Sequence, residues 1–283
     1  MTSAFAPSFG RHARGAYLLL ALLSVAGCGR SSPSTAPPGD EATSSRPEPA
    51  VRVAAASDLQ FALREVVGKY NETHSDKPVE AVFGSSGSLF AQLSNKAPFD
   101  MFLSADMSYP QKLVEAGLAA ADSEFLYAIG HLVVWVPKDS TLDFEKDGIK
   151  ALTDPSVKVI AMANPQHAPY GRVAEAALKN LGVYDEVKDR LVLGENIAQT
   201  AQFVQSGAAH AGLIALSLAL APAMQERGRY WSVPADAYPR LEQGGVIMSA
   251  AQDLAAARDF RAYLISDEGK AILRQFGFEL PEK

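Results

Sequence analysis

From Val51 onward, short apolar runs alternate with segments of helical periodicity, and this alternation restricts the chain to a small set of folds. Residues 51–56 read as a buried strand. Leu59, Ala62, Leu63, Val66, Val67 and Tyr70 then fall on one helical face at i, i+3, i+4 spacing. Residues 79–83 form a second strand, followed by a helix carrying Leu89, Phe90 and Leu93, and residues 99–103 form a third strand. A long apolar run covers 126–136 and ends at Pro137 and Lys138. A strand at 157–163 precedes a helix from about 171 to 181, and a further helix runs from about 197 to 205 with Gly207 as its stop. Strands at 211–216 and 246–248 and two closing helices complete the chain, with no internal repeat. Strands alternating with helices predict an α/β fold with mostly parallel sheets. In such sheets ligands lie beyond the carboxyl ends of the strands.

Four strand-to-helix junctions therefore carry the functional reading. They are Ala54-Ala55-Ala56-Ser57-Asp58-Leu59, Phe83-Gly84-Ser85-Ser86-Gly87-Ser88-Leu89, Asn164-Pro165-Gln166-His167-Ala168-Pro169-Tyr170-Gly171-Arg172, and Gly194-Glu195-Asn196-Ile197-Ala198. Three place small or hydroxyl-bearing residues where a helix should begin. The third places Pro there, which suits a first helical turn. The first amides of a helix lack intrahelical partners, and the helix dipole adds partial positive charge at that end. Such ends bind anions without a cationic side chain, and Ser hydroxyls add donors. Each junction also has a plain structural reading. Ser57 is of the type that caps a helix, Ser85, Ser86 and Ser88 between glycines suit a turn, and Asp58 in a first turn favours the dipole whatever the ligand. Tyr170 has a packing role open to it, and His167 reads as a structural hydrogen-bonder.

The amino terminus has a different character. Arg11, His12 and Arg14 precede an apolar run over 16–26, which is short for a bilayer span, and Gly27-Cys28 follows. This order is that of a secretory signal over 1–27. Residues 29–50 hold no large apolar side chain, so with Cys28 they read as a disordered tether over 28–50. Cys28 is the only cysteine, which rules out an internal disulfide. A formal net charge of -6 and no dense Lys/Arg run argue against nucleic acid. A negative chain still binds an anion if the donors are local.

The small residues before Cys28 resemble a bacterial lipobox, which implies cleavage before Cys28, its lipidation, and attachment to a membrane through that lipid alone. The junctions, with Pro98-Phe99-Asp100-Met101-Phe102-Leu103-Ser104-Ala105-Asp106 and Ala211-Gly212-Leu213-Ile214-Ala215-Leu216-Ser217, resemble the periplasmic molybdate-binding proteins of ABC importers, in order, over roughly residues 51 to 280. The resemblance implies a two-lobe periplasmic binding protein fold with the ligand in the cleft. It implies capture of molybdate or tungstate by a monomer that delivers the anion to an ABC permease and its ATPase subunit, with no cofactor. It places the oxyanion on hydroxyl and amide of Ser57 and Ser86 and on backbone amides near Asp58, Tyr170 and Ile197. Some members set a Tyr hydroxyl on the ligand where this chain has Ala215, and the resemblance to another branch of the family implies that Tyr170 supplies a backbone or side-chain contact instead. Lobe 1 is expected over 51–130 plus 239–283 and lobe 2 over 131–238, closing by the hinge motion of such proteins.

A donor-only site suits a fully deprotonated anion, so Asp58 is expected to give its amide and turn its carboxylate away. Sulfate, phosphate and small organic anions are the alternative ligands. An exported enzyme is disfavoured. The Gly-x-Ser-x-Gly pattern fails at Ser88, and His12, His74, His131, His167 and His210 show no metal-ligand spacing.

Overall fold

The computed structural model describes residues 49–281. The signal over 1–27, Cys28 and its lipidation, and the tether up to residue 48 lie outside the described residues. The expected tether also takes in Ala50, but the Ala50 amide already donates to Pro78 O at 2.8 Å, so the folded body starts at that residue.

The chain first lays down β1 (Val51–Ala56), a 3-10 turn at Ser57–Leu59, α1 (Gln60–Thr73), β2 (Val79–Gly84), α2 (Ser86–Ser94), β3 (Met101–Ser104), α3 (Ser108–Glu115) and β4 (Phe125–Gly130). It continues through β5 (Leu132–Pro137), α4 (Phe144–Asp147), β6 (Ile160–Ala163), α5 (Pro169–Asn180), α6 (Tyr184–Val187), β7 (Leu191–Gly194), α7 (Ile197–Gln205), β8 (Ala211–Ala215), α8 (Leu216–Ala219), α9 (Pro222–Arg227) and β9 (Gly228–Ser232). It closes with β10 (Leu241–Ile247), α10 (Leu254–Leu264) and α11 (Asp267–Gln275).

Two five-stranded sheets result, in the orders β2-β1-β3-β10-β4 and β7-β6-β8-β5-β9. In each sheet four strands point the same way and one runs against them, so the sheets are mixed with a mostly parallel sense. β1 runs parallel to β2 and β3, whereas β10 is antiparallel to β3 and β4. β6 runs parallel to β7 and β8, whereas β5 is antiparallel to β8 and β9. The antiparallel member is in each case the strand that has just crossed from the other sheet. Local β-α-β connections force parallel neighbours, and a direct strand-to-strand crossing does not.

The long apolar run over 126–136 is therefore two strands. β4 pairs with β10, β5 pairs with β8 and β9, and His131 lies between them. Its carbonyl accepts from the Leu216 amide at 2.9 Å. The chain leaves the first sheet at Gly130 and returns to it at Leu241.

Strand alternation feeds a core on both faces of the first sheet. Val53, Ala55 and Leu103 pack against Leu63, Val66 and Tyr70 of α1 and Phe260 and Leu264 of α10. Ala54, Phe102 and Val246 pack against Leu89 and Leu93 of α2 and Leu113 of α3. In the second sheet Val133, Trp135 and Ile214 sit with Val173 and Leu178 of α5 and Val204 of α7. Each such Leu or Phe, fully buried, contributes roughly 2–3 kcal/mol. A helix cap contributes about 1 kcal/mol. The apolar stripes thus decide where each helix docks, and the caps only trim its first turn.

Candidate functional site

The four junctions meet. Two come from the first sheet and two from the second, and hydrogen bonds run directly between them. The Gly87 amide donates to His167 O at 2.9 Å. The Ala198 amide donates to Ser57 Oγ at 3.4 Å, and Ser88 Oγ donates to Glu195 Oε1 at 3.2 Å. Between them lies a cavity of about 10 Å³, lined by Ala56, Ser57, Gly84, Ser85, Ser86, Ala105, Ala168, Pro169, Tyr170 and Ile197. That space fits about one water-sized sphere. None of the lining residues carries a charge.

Local capping explains why donors remain free. Ser85 caps α2 by accepting the Ser88 amide at 3.2 Å, which leaves the Ser86 hydroxyl for the cavity side. Ser86 Oγ accepts the Ala105 amide at 3.0 Å, an arrangement that holds the hydroxyl in place. Asn196 caps α7 by accepting the Gln199 amide at 3.0 Å. The Ala198 amide is taken by Ser57, so the Ile197 amide is the first-turn donor without a partner among the described residues. α5 begins at Pro169, which has no N–H, after Ala168, which offers no side-chain cap. The Tyr170 amide is left unpaired there in the same way.

Ser57 is not the cap of α1. It opens the 3-10 turn, its side chain makes no capping bond, and it faces α7 of the other sheet instead. Four of the five residues expected in the site (Ser57, Ser86, Tyr170 and Ile197) line the cavity.

Asp58 does not line it. Its side chain is buried at 1% exposure, with Oδ2 accepting from Gln243 Nε2 at 2.5 Å, and the same amide nitrogen donates to Tyr170 Oη at 3.3 Å. Its carbonyl accepts from Ser217 Oγ at 2.8 Å. Tyr127 Oη reaches Gln243 Oε1 at 3.1 Å and donates to Ser104 O at 3.0 Å, which closes a polar network behind the cavity. Burial, which disfavours charge, pushes the Asp58 carboxyl up to about 6 against the hydrogen bonds from Gln243 and Tyr170. Burial, and then the negative charge of Asp58, raises the Tyr170 and Tyr127 phenols well above their ordinary range.

His167 is a structural hydrogen-bonder here: its Nε2 pairs with Glu195 O at 2.9 Å. Ala215 is fully buried in β8 and lies outside the cavity lining. Sequence reasoning did not single out Ala105, although the Ser104-Ala105-Asp106 stretch was in view. It also missed Gln243, 185 residues from the Asp58 carboxyl it meets, for which no local pattern exists.

Two sheets joined by strand crossings, with helix starts from both converging on a small uncharged cavity, define a two-lobe solute-binding protein. The chain belongs to the bacterial extracellular solute-binding protein family, whose sequence profile matches residues 51–279. The molybdate-binding protein ModA of Azotobacter vinelandii is 34% identical over 230 residues, covering 81% of this chain and 90% of that protein. ModA of Rhodobacter capsulatus is 34% identical over 228 residues, covering 81% and 87%. The solved structure of the Azotobacter vinelandii periplasmic molybdate-binding protein superposes with a TM-score of 0.77 at 32% identity, covering 82% of this chain and all of that one. Among the described residues no helix is long and apolar enough to cross a membrane.

Proposed function

We propose that this protein captures molybdate or tungstate in the periplasm and hands it to an ABC permease driven by its ATPase subunit, without acting chemically on the anion. The observation that carries this reading is the uncharged cavity between the lobes, bounded by the hydroxyls of Ser57 and Ser86 and the first-turn amides of Tyr170 and Ile197. A dianion there receives several charge-assisted hydrogen bonds and meets no charged side chain on the cavity wall. The similarity to molybdate-binding relatives over four-fifths of the chain supports the same ligand.

In this reading the lobes are 51–130 with 239–283, and 131–238. The anion stabilises the closed form because only that form brings both pairs of junctions to it. The protein works as a monomer, held to the membrane by a lipid on Cys28 after removal of residues 1–27.

Titration calorimetry of the purified protein with molybdate, tungstate, sulfate and phosphate tests the assignment. Tight binding of the first two with little response to the others is expected. Preferential binding of sulfate or phosphate replaces the substrate but keeps the cleft, and turnover of a phosphate or sulfate ester overturns the binding-protein reading.

A further inference from the structure

The carboxyl of Asp58 is left unexplained by an anion cage built from neutral donors. It sits one residue from Ser57 and is linked through Gln243 Nε2 to Tyr170 Oη, and both Ser57 and Tyr170 line the cavity. It is 1% exposed, and its Oδ1 has no hydrogen-bond partner among the described residues.

Four of the elements around it present polar side chains. β10 presents Gln243, and α5 presents Tyr170, with Tyr238 behind that phenol. β4 presents Tyr127 and α8 presents Ser217, the latter to the backbone. α7 contains no charged residue, and the amides near the carboxyl are those of Asp58 and Leu59. No Lys, Arg or His stands among these groups, so no cation in the pocket compensates a charge on Asp58. A captured dianion beside it adds repulsion in a setting of low dielectric.

We propose that capture of the anion is coupled to uptake of a proton at Asp58, which stands as a neutral acid behind the loaded cage. The proposal rests on the oxyanion reading given above. Its linkage has a definite sign. Opening of the lobes would admit water to the cleft, lessen the burial of Asp58 and lower the value at which it titrates. Closure buries it and raises that value, to about 6 from burial before any anion charge is counted. The loaded form therefore holds the proton more tightly than the open form, and binding takes a proton from solution. Affinity rises as pH falls through the loaded-state value and levels off below the open-state value. Two groups that otherwise repel, a buried carboxylate and a dianion, are thereby made compatible, and the proton leaves again when the lobes reopen.

The test is titration of molybdate into the purified protein in buffers of contrasting ionisation enthalpy, from about pH 6 to about pH 8.5. Uptake of roughly half a proton or more is expected near pH 6, falling away at the alkaline end, with affinity dropping by up to about tenfold per pH unit where uptake is near one. Asp58→Asn is expected to abolish the uptake, flatten the pH profile and bind more tightly than the wild type at the alkaline end. Uptake by His167 or Glu195 at the cleft mouth survives in that variant, and survival overturns the proposal. Binding with heats independent of buffer overturns it as well. Should Asp58→Asn fail to fold, infrared difference spectra of the wild type decide the matter. A protonated-carboxyl band that grows on adding molybdate supports the proposal, and its absence defeats it. No heat with molybdate, tungstate, sulfate or phosphate in any buffer overturns the oxyanion reading itself, and the proposal with it.

Discussion

The Gly87 amide donates to the His167 carbonyl at 2.9 Å, which ties the second residue of α2 in one lobe to the loop before α5 in the other. A Cβ on Gly87 would stand 2.5 Å from that same carbonyl oxygen. The approach is backbone on backbone, so no side chain can move aside to relieve it.

Gly87→Ala is therefore expected to obstruct closure while leaving each lobe intact. Alanine in a helix is favoured over glycine by about 1 kcal/mol, so the ligand-free protein should be no less stable. Molybdate affinity should fall about tenfold or more, ~1.4 kcal/mol. Calorimetry alongside thermal denaturation separates the two effects. Wild-type affinity in this variant would remove Gly87 from the closure contact.

Ser86→Ala deletes a hydroxyl at the cavity and the acceptor of the Ala105 amide. A hydrogen bond to a charged group is worth about 1.5–3 kcal/mol, so affinity should drop roughly ten- to a hundredfold. The stability cost of the freed amide should stay near 1 kcal/mol. Circular dichroism melts and anion titrations on the same sample check both.

Arg172 pairs with Asp106 across the cleft at 2.5 Å and donates to Tyr109 Oη at 3.2 Å, with the Arg and Asp side chains 37% and 29% exposed. A pair this open to water contributes at most about 1 kcal/mol and is screened by salt. Arg172→Ala should thus weaken binding by only about two- to fivefold at low ionic strength, a gap that closes in high salt. A dissociation constant measured against salt concentration reads this directly, and a large salt-independent loss would place Arg172 in the site itself.

Gly130 ends β4 at the first crossing, and a Cβ there would collide with Tyr170 Oη and lie 2.6 Å from Gln243 Nε2. Gly130→Ala should displace the Tyr170 phenol from the Asp58 network and cost about 1–3 kcal/mol of stability. Denaturant melts measure the loss, and an unchanged midpoint would mean that the network accommodates a methyl group freely.

Much of this protein was legible in the order of its residues. The face holding Ala62, Leu63, Val66 and Tyr70 is buried in α1 as the spacing predicts, and α7 occupies the segment over 197–205 that its pattern marked. Local propensity and apolar period suffice where one face meets one sheet. β7 and β9 were not singled out, because Leu191–Gly194 is a four-residue edge strand and Gly228–Ser232 exposes most of its side chains. The run over 126–136 looked continuous because both halves are fully apolar. Which sheet each half joins depends on partners more than seventy-five residues away.

The α/β architecture, the four helix starts and the donor types placed at them follow from neighbours a few residues apart and are readable in residue order alone. Only the tertiary structure decided that Ser57 faces Ala198 rather than capping its own helix, that Ala105 holds Ser86, and that Asp58 turns into a pocket with Gln243 and Tyr170. The reason is physical. Capping and helical period are short-range and repeat in the chain, whereas the burial of a carboxyl and the meeting of two lobes depend on long-range packing that no local spacing encodes.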